Sequence, residues 1–178
     1  NAQAPIIIDH HDTDLGTIPS YWVEKAKTDL HIGYGHTSHG SQITSGMQSL
    51  ENYFTDGRFD FSNQETSGNL HLFEGASYGD GYLELDCGYN GWEEETREYL
   101  EAFPECNVII WSWCGQVNSV DLHTHYLHPM EKLQFDFPDV RFVFMTGHLE
   151  GLGPDGSLFE ANQTIRDYCI QNNAILFD

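Results

Sequence analysis

Basic residues are scarce in this 178-residue sequence, in which seven lysines and arginines stand against 28 aspartates and glutamates. The formal net charge is −21 and the sequence pI is about 4.5. Because so acidic a surface repels phosphate backbones and anionic lipid headgroups, the composition argues against binding to nucleic acid or to a membrane. It suits an extracellular or high-salt setting, where charges are screened over about 10 Å or less. Carboxylate-rich loops also permit Ca²⁺ to bind.

Long apolar runs are absent, and no stretch approaches the roughly 18 residues that a membrane-spanning helix needs. Cysteines number four, too few for a disulfide-dense scaffold, and no CxxC pair indicates zinc or redox chemistry. Three pairings are open if all four are bridged, whereas Cys114 and Cys169 lie in apolar segments typical of buried thiols. The start of the chain, Ala2-Gln3-Ala4, is similar to the end of a signal peptide. We therefore expect a secreted, extracellular protein.

Apolar residues are plentiful, with 39% hydrophobic and 13% aromatic residues, as in a packed globule. The length predicts one domain over residues 1–178. Apolar runs alternate with helical patterns from residue 20 onwards, which predicts an α/β fold: a three-layer α/β/α sandwich around a mainly parallel sheet. The expected strands are 6–8, 30–35, 70–73, 82–85, 107–113, 141–146 and 174–177, and the expected helices are 21–28, 41–54, 91–103, 119–137 and 158–173.

The stretch from Leu30 to Gln42 carries the strongest functional signal. It is a short strand that breaks at glycines, continues as His36-Thr37-Ser38-His39-Gly40-Ser41 and turns at once into a helix. Such a turn displays one side chain and free N–H groups at the carboxyl edge of a sheet, as for a serine nucleophile. Ser38 is the candidate nucleophile and Ser41 its rival, while either serine could instead be a helix N-cap.

Three further predicted strands end in residues that suit the same chemistry. One runs into Gly115-Gln116-Val117-Asn118, another into Gly147-His148, and the last strand closes on Asp178. Because the carboxyl ends of parallel strands share one edge, we expect Ser38, Asn118, His148 and Asp178 to approach each other there. A serine, an imidazole base and Gly or Asn donors to an oxyanion are the inventory for acyl transfer from esters. Further backbone donors are available in the glycine-rich stretch 75–91, at Gly75, Gly79, Gly81 and Gly88.

A weaker signal for a metal follows the first strand, where Asp9-His10-His11-Asp12-Thr13-Asp14 groups imidazoles and carboxylates. The candidate ligands are Asp9, His10, Asp12 and Asp14. Adjacent side chains of an extended segment point to opposite faces, so that not all of them reach one ion. A polar loop is therefore the favoured interpretation, and we expect no required cofactor, with Ca²⁺ as the ion that the acidic loops permit.

These motifs resemble those of the SGNH (GDSL-like) hydrolase superfamily over most of the chain, from about residue 30. Gly35-His36-Thr37-Ser38 stands where the family has its first serine block, and Gly115-Gln116-Val117-Asn118 where it has its Gly and Asn block. The run from Tyr34 to Gln42 is also similar to uncharacterised secreted bacterial proteins. The resemblance implies a flavodoxin-like fold, Ser38 as nucleophile, and an oxyanion hole made by Asn118, the Ser38 N–H and a glycine of the 75–91 stretch. It also implies acyl-ester substrates, often acetyl esters of carbohydrates.

The sequence departs from the family in two places. The Asp that precedes the family's serine is replaced, and no Asp-x-x-His block, the source of the family's base, follows the last strand. Either the chain is a truncated or processed part of a longer protein, or His148, His36 or His39 is the base, or there is no hydrolysis. The alternative function is a catalytically incomplete, secreted structural or binding module. Such a module would form a homo-oligomer, with Ca²⁺ held by its acidic loops, or bind polysaccharide through its Trp and Tyr residues.

Overall fold

A single seven-stranded sheet forms the centre of the protein, whose computed structural model describes residues 4–75, 81–89 and 91–178. Every pairing in the sheet is parallel, and the spatial order is β1-β7-β6-β5-β2-β4-β3. In chain order the strands are β1 (Ile6–Ile8), β2 (His31–Gly35), β3 (Phe61–Ser62), β4 (Leu70–Glu74), β5 (Val108–Trp111), β6 (Arg141–Met145) and β7 (Ile175–Phe177).

Helices cover both faces of the sheet, which confirms the predicted three-layer α/β/α architecture. Helices α1 and α2 lie side by side on one face, and α3, α4 and α5 pack on the other. None of the helices in the described ranges is both long enough and apolar enough to cross a lipid bilayer. The helices are α1 (Ser20–Asp29), α2 (Ser41–Tyr53), α3 (Trp92–Ala102), α4 (His128–Asp136) and α5 (Ser157–Gln171).

The winding of the chain reverses at β2. From β2 the chain moves outward to β4 and then returns to the other side of β2 as β5, before continuing to β6 and β7. The five strands β4-β2-β5-β6-β7 therefore have the doubly wound, flavodoxin-like order. In such sheets ligands bind outside the carboxyl ends of the strands where the winding reverses, which here are the ends of β2 and β5.

Two glycines of β2 allow aromatic side chains to pack directly on the strand. A Cβ atom at Gly33 would lie 2.7 Å from the Tyr99 ring, and one at Gly35 would lie 2.5 Å from the Trp111 ring. Trp111 is fully buried, and its indole N–H donates to the Thr96 hydroxyl of α3 at 2.8 Å. The glycines thus bring α3 close to the strand that leads to the candidate site.

Two of the predicted elements are wrong. Residues 82–85 do not form a strand, because Leu83 adopts a φ of +56° and buries its side chain completely from an irregular loop. The helix predicted from Ser119 begins later, because Asp121, not Ser119, accepts a backbone N–H, that of Thr124, at 2.9 Å. A π-helical turn, His123–Leu127, then precedes α4.

We expect Gly35→Ala to lower the free energy of unfolding by about 1–3 kcal/mol, because the added methyl group overlaps the buried Trp111 ring. Gly46→Ala is the matched control: no atom lies within 4 Å of its Cβ position in α2. It should stabilise the protein by about 0.5–1 kcal/mol, since alanine favours the helix. Urea unfolding of both variants measures the difference, and equal effects would contradict this packing.

Candidate active site

Ser38 lies on a strained turn between the end of β2 and the start of α2. A short 3₁₀ turn, Ser38–Gly40, joins the two elements, and Ser38 has a φ of +35°. Only Ser38, Leu83 and Asn173 are non-glycine residues with positive φ in the described part of the chain. This conformation costs an L-residue about 1–2 kcal/mol, and it persists only where the surroundings enforce it. The side chain of Ser38 is exposed and makes no hydrogen bond to the described residues.

Hydrogen bonds around Ser38 hold the turn in place. The Ser41 hydroxyl donates to the Ser38 carbonyl at 2.8 Å, and the Gly40 N–H donates to the Thr37 carbonyl at 2.9 Å. The Tyr34 hydroxyl donates to the Gly40 carbonyl at 2.8 Å. Burial raises the pKa of Tyr34 to about 12, so that this donor keeps its proton. Ser41, the rival nucleophile, therefore supports the backbone of Ser38.

His36 anchors the turn from below. It is 2% exposed, and its Nε2 lies 2.8 Å from Oε1 of Glu74, the last residue of β4. The same carboxylate oxygen accepts a hydrogen bond from the Thr44 hydroxyl of α2 at 2.7 Å. A Cβ atom at Gly40 would lie 2.2 Å from the Cβ of His36, so the residue above the imidazole has to be glycine. These contacts suit His36 to positioning the turn, since its Nε2 is already engaged.

Segment 81–89 joins the turn after β2 to the turn after β5. The Thr37 hydroxyl donates to the Asp86 carboxylate, and the Gln116 amide donates to the Cys87 carbonyl at 2.6 Å. Gly88 packs against Trp113, and a Cβ there would lie 2.7 Å from the indole. Segment 81–89 therefore lies beside the Ser38 turn, as a wall of the site.

The other glycines of this stretch differ in their packing. A Cβ at Gly75 would lie 2.3 Å from the Leu83 carbonyl oxygen, whereas one at Gly81 would meet no atom of the described residues within 4 Å. Gly79 lies outside the described residues. Of the described candidate donors, Gly88 is thus the one that packs against Trp113, just after β5.

His39 and His148 come together from different ends of the chain. Their rings stack with centroids 4.9 Å apart and an interplanar angle of 2°. Both line a cavity of about 200 Å³ at the carboxyl ends of β5, β6 and β7. Nδ1 of His148 is buried and has no hydrogen-bond partner among the described residues. Polar side chains around the cavity come from His39, Gln42, Ser112, Thr146, His148 and Asp178.

Two of the residues chosen as oxyanion donors, Gly115 and Asn118, do not line this cavity. Gly115 and Asn118 are exposed, and neither is among the described residues that line it. The Asn118 amide donates to the Ser157 hydroxyl at 2.9 Å, at the start of α5. This hydrogen bond has to break before the Asn118 amide can turn towards a substrate.

Asp178 contributes a fixed negative charge at the rim of the cavity. Its two carboxylate oxygens accept hydrogen bonds of 2.7 and 2.8 Å from the Arg166 guanidinium. Partial burial would raise the pKa of Asp178, but the paired Arg166 outweighs burial and holds that pKa below its ordinary value. Asp178 is therefore ionised near neutral pH and close to the stacked histidines.

The segment after β1 forms a polar turn. Asp12 accepts the Asp9 N–H at 3.0 Å, Asp9 accepts the His11 N–H at 2.7 Å, and Asp14 accepts the Gly16 N–H at 2.9 Å. Ligand atoms of Asp9, His10 and His11 lie within 4.8 Å of one another. Of the four predicted ligands, Asp9 and His10 are thus brought together, while Asp12 and Asp14 are used to cap turns.

Two features of the site were not anticipated. Glu74 is an acidic residue that directly follows the apolar pair Leu72-Phe73, and this abrupt change at a strand end is the signal that marks it. Asp86 has no comparable signal, because its contact with Thr37 spans 49 residues. The cysteines take no part, since all four are free and only Cys114 is not fully buried.

No family model, curated protein or solved structure matches this chain. The functional argument therefore depends on the fold and on the geometry of the site.

We expect Arg166→Gln to lower the free energy of unfolding by about 1 kcal/mol at pH 7, because it removes a two-point, half-buried ion pair. The folded-state pKa of Asp178 is lowered, so the stabilisation is present above the unfolded-state pKa and is lost as the pH falls through the folded-state pKa. The difference from the parent should therefore shrink below about pH 4.

Lys25→Gln is the control, because Lys25 pairs with Asp29 on the exposed surface of α1. It should leave the free energy of unfolding almost unchanged at pH 7 and at pH 3. A deficit of Arg166→Gln that persists unchanged at pH 3 would contradict the assignment to Asp178.

Proposed function

We propose that this protein is a serine ester hydrolase of the SGNH (GDSL-like) type, with Ser38 as its nucleophile. The observation that carries the proposal is the positive φ of Ser38, an exposed hydroxyl residue held in a strained conformation. That residue follows β2, next to the point where the winding of a doubly wound sheet reverses. A strained strand-to-helix turn with an exposed hydroxyl is the arrangement that displays the nucleophilic serine in α/β-hydrolase enzymes.

In the proposed reaction the Ser38 hydroxyl oxygen attacks the ester carbonyl carbon while a histidine accepts its proton. The tetrahedral intermediate expels the alcohol, which takes that proton, and leaves an acyl group on Ser38. Water, deprotonated by the same histidine, then attacks the acyl-enzyme; the acid leaves as the histidine returns the proton to the Ser38 oxygen. His148 and His39 are the candidates for this base, because both line the cavity beside the turn.

The oxyanion is assigned to N–H donors near the turn. The Ser38 N–H, Gly88, Gly115 and Asn118 are the candidates, and hydrogen bonds of about 2.7–3.1 Å from such donors stabilise the transition state. Gly88 is favoured as a donor because segment 81–89, to which it belongs, is hydrogen-bonded both to Thr37 and to Gln116. Asn118 can donate to the oxyanion only after its hydrogen bond to Ser157 has broken.

The substrate class follows from the size and charge of the site. A cavity of about 200 Å³ suits a short acyl group such as acetyl. The net charge of −21 disfavours anionic substrates. Neutral acetyl esters, including those of carbohydrates, fit these limits best, and the proposal includes secretion, which the acidic composition suits.

We expect Ser38→Ala to reduce kcat for p-nitrophenyl acetate by at least about 10³-fold, because the attacking oxygen is lost. Ser49→Ala, which removes an exposed hydroxyl bonded only within α2, should keep full activity. Ser41→Ala should keep most of it, since Ser41 only supports the Ser38 carbonyl. Full activity in Ser38→Ala on both acetyl and butyryl esters would overturn the proposal.

Single substitutions of His39 and His148 test whether the stacked histidines supply the catalytic base. We expect His148→Asn or His39→Asn to lower kcat by about 10²-fold or more, because proton transfer from Ser38 then fails. His128→Asn is the control, since His128 is exposed on α4 and pairs only with Glu131. Wild-type kcat in both variants of the stacked pair would rule out this cavity as the source of the base.

Exposed aromatic residues on α1 favour the second candidate, a binding module. Tyr21 is 66% exposed and Trp22 is 57% exposed, with their rings 5.0 Å apart, and Trp22 borders an apolar cavity of about 270 Å³. Such rings stack on sugar faces. Loss of polysaccharide retention in Trp22→Ala, together with normal retention in Ser38→Ala, would support this function. Light scattering with and without EDTA tests Ca²⁺-dependent assembly.

A further inference from the structure

A group of potential metal ligands lies at the amino end of the sheet, away from the Ser38 turn. His31 is the first residue of β2 and His71 is the second residue of β4, and the two are direct partners in the parallel register. Partnered residues of neighbouring strands project from the same face, and the two rings lie 5.2 Å apart. Glu65, from the loop between β3 and β4, reaches the same point.

The spacing of the three ligand atoms is close to that of a coordination sphere. Nδ1 of His31 lies 3.1 Å from Nδ1 of His71 and 3.2 Å from Oε1 of Glu65. Two ligands that are each about 2.0–2.1 Å from a tetrahedral Zn²⁺ ion are about 3.3 Å apart. All three atoms lie within 4.8 Å of one another, so that one ion can reach each of them.

A second observation concerns the protons of the cluster. Nε2 of His71 lies 3.2 Å from the Asn63 carbonyl oxygen, which can only accept, so Nε2 carries the hydrogen. In the neutral ring Nδ1 is then an unprotonated acceptor that faces Nδ1 of His31. Backbone carbonyls fix the tautomer of zinc-binding histidines in this way. A single hydrogen on Nδ1 of His31 can be donated in good geometry to only one acceptor, either Nδ1 of His71 or the Glu65 carboxylate. A cation, in contrast, can bind both nitrogens and the carboxylate at once.

We propose that His31, Glu65 and His71 bind Zn²⁺, with water completing the coordination. Two imidazole nitrogens favour Zn²⁺ over Ca²⁺, which takes six to eight oxygen ligands. The ion can enter from solvent, since the side chains of Glu65 and His31 are 65% and 26% exposed. Bound Zn²⁺ fastens the β3–β4 loop to β2 and β4, and it therefore stabilises the fold. This site is independent of the proposed ester hydrolysis.

Calorimetric titration of the purified protein with Zn²⁺ alone tests the proposal. We expect one site per chain, a higher Tm with Zn²⁺, and affinity at least about tenfold weaker in His71→Gln and in Glu65→Gln. Co²⁺ bound at the site should show the intense visible absorption of a tetrahedral complex. Glu65→Gln keeps the test decisive if His71→Gln fails to fold, because the Glu65 side chain is largely exposed.

Two controls separate this site from the other imidazoles. The double variant His10→Gln/His11→Gln removes the ligands after β1, and His128→Gln removes an exposed histidine of α4. Both should bind Zn²⁺ as the parent does. The proposal is overturned if the parent binds no Zn²⁺ below about 100 μM, if Glu65→Gln and His71→Gln bind as the parent does, or if binding is lost in the His10/His11 variant.

Discussion

The buried contact between His36 and Glu74 is the interaction on which the rest of the candidate site depends. A carboxylate taken out of water is costly unless its oxygens are hydrogen-bonded. Here one oxygen of Glu74 is bonded by both the His36 imidazole and the Thr44 hydroxyl. The end of β4, the turn after β2 and the first turns of α2 are thereby joined at one point. The strain in the Ser38 backbone is sustained because its neighbours on both sides are fixed.

The topology of the sheet determines which other segments reach Ser38. Because β4 and β5 lie on opposite sides of β2, the chain that leaves the carboxyl end of β4 has to cross β2 to reach β5. Its segment 81–89 bonds to Thr37 on one side and to Gln116 on the other. The ends of β6 and β7 bring His148 and Asp178 to the same edge. The Ser38 turn, through its residue His39, thus borders a cavity that holds two imidazoles and a carboxylate.

Much of the fold could be predicted because its signals are local. The apolar run of β5, the helical spacing in α2 and the glycines of β2 act over a few residues, and the parallel sheet follows from their alternation. The strand predicted at 82–85 was wrong because Leu83 is buried from an irregular loop, in which its φ is positive, and not from a paired strand. Asp121 replaced Ser119 as the cap because an aspartate nearer the helix can accept the free N–H of Thr124.

The site was less predictable because its contacts join distant residues. Ser38, His39 and His148 were candidates by residue type, but the stacking of the two imidazoles depends on the packing of the β2 and β6 turns. Glu74 meets His36 across 38 residues, and His31 meets His71 only through the register of β2 with β4. Asn118 was chosen by motif, whereas its amide is bound by Ser157 from the next helix.

The most direct test of the central claim is covalent labelling of the folded protein with a fluorophosphonate probe, followed by peptide mass analysis. Such probes react only with hydroxyl groups that a neighbouring base and oxyanion donors have activated. The account predicts a single adduct, on Ser38, that is lost when the protein is unfolded. No adduct on the folded protein, or an adduct on Ser41 in its place, would contradict it.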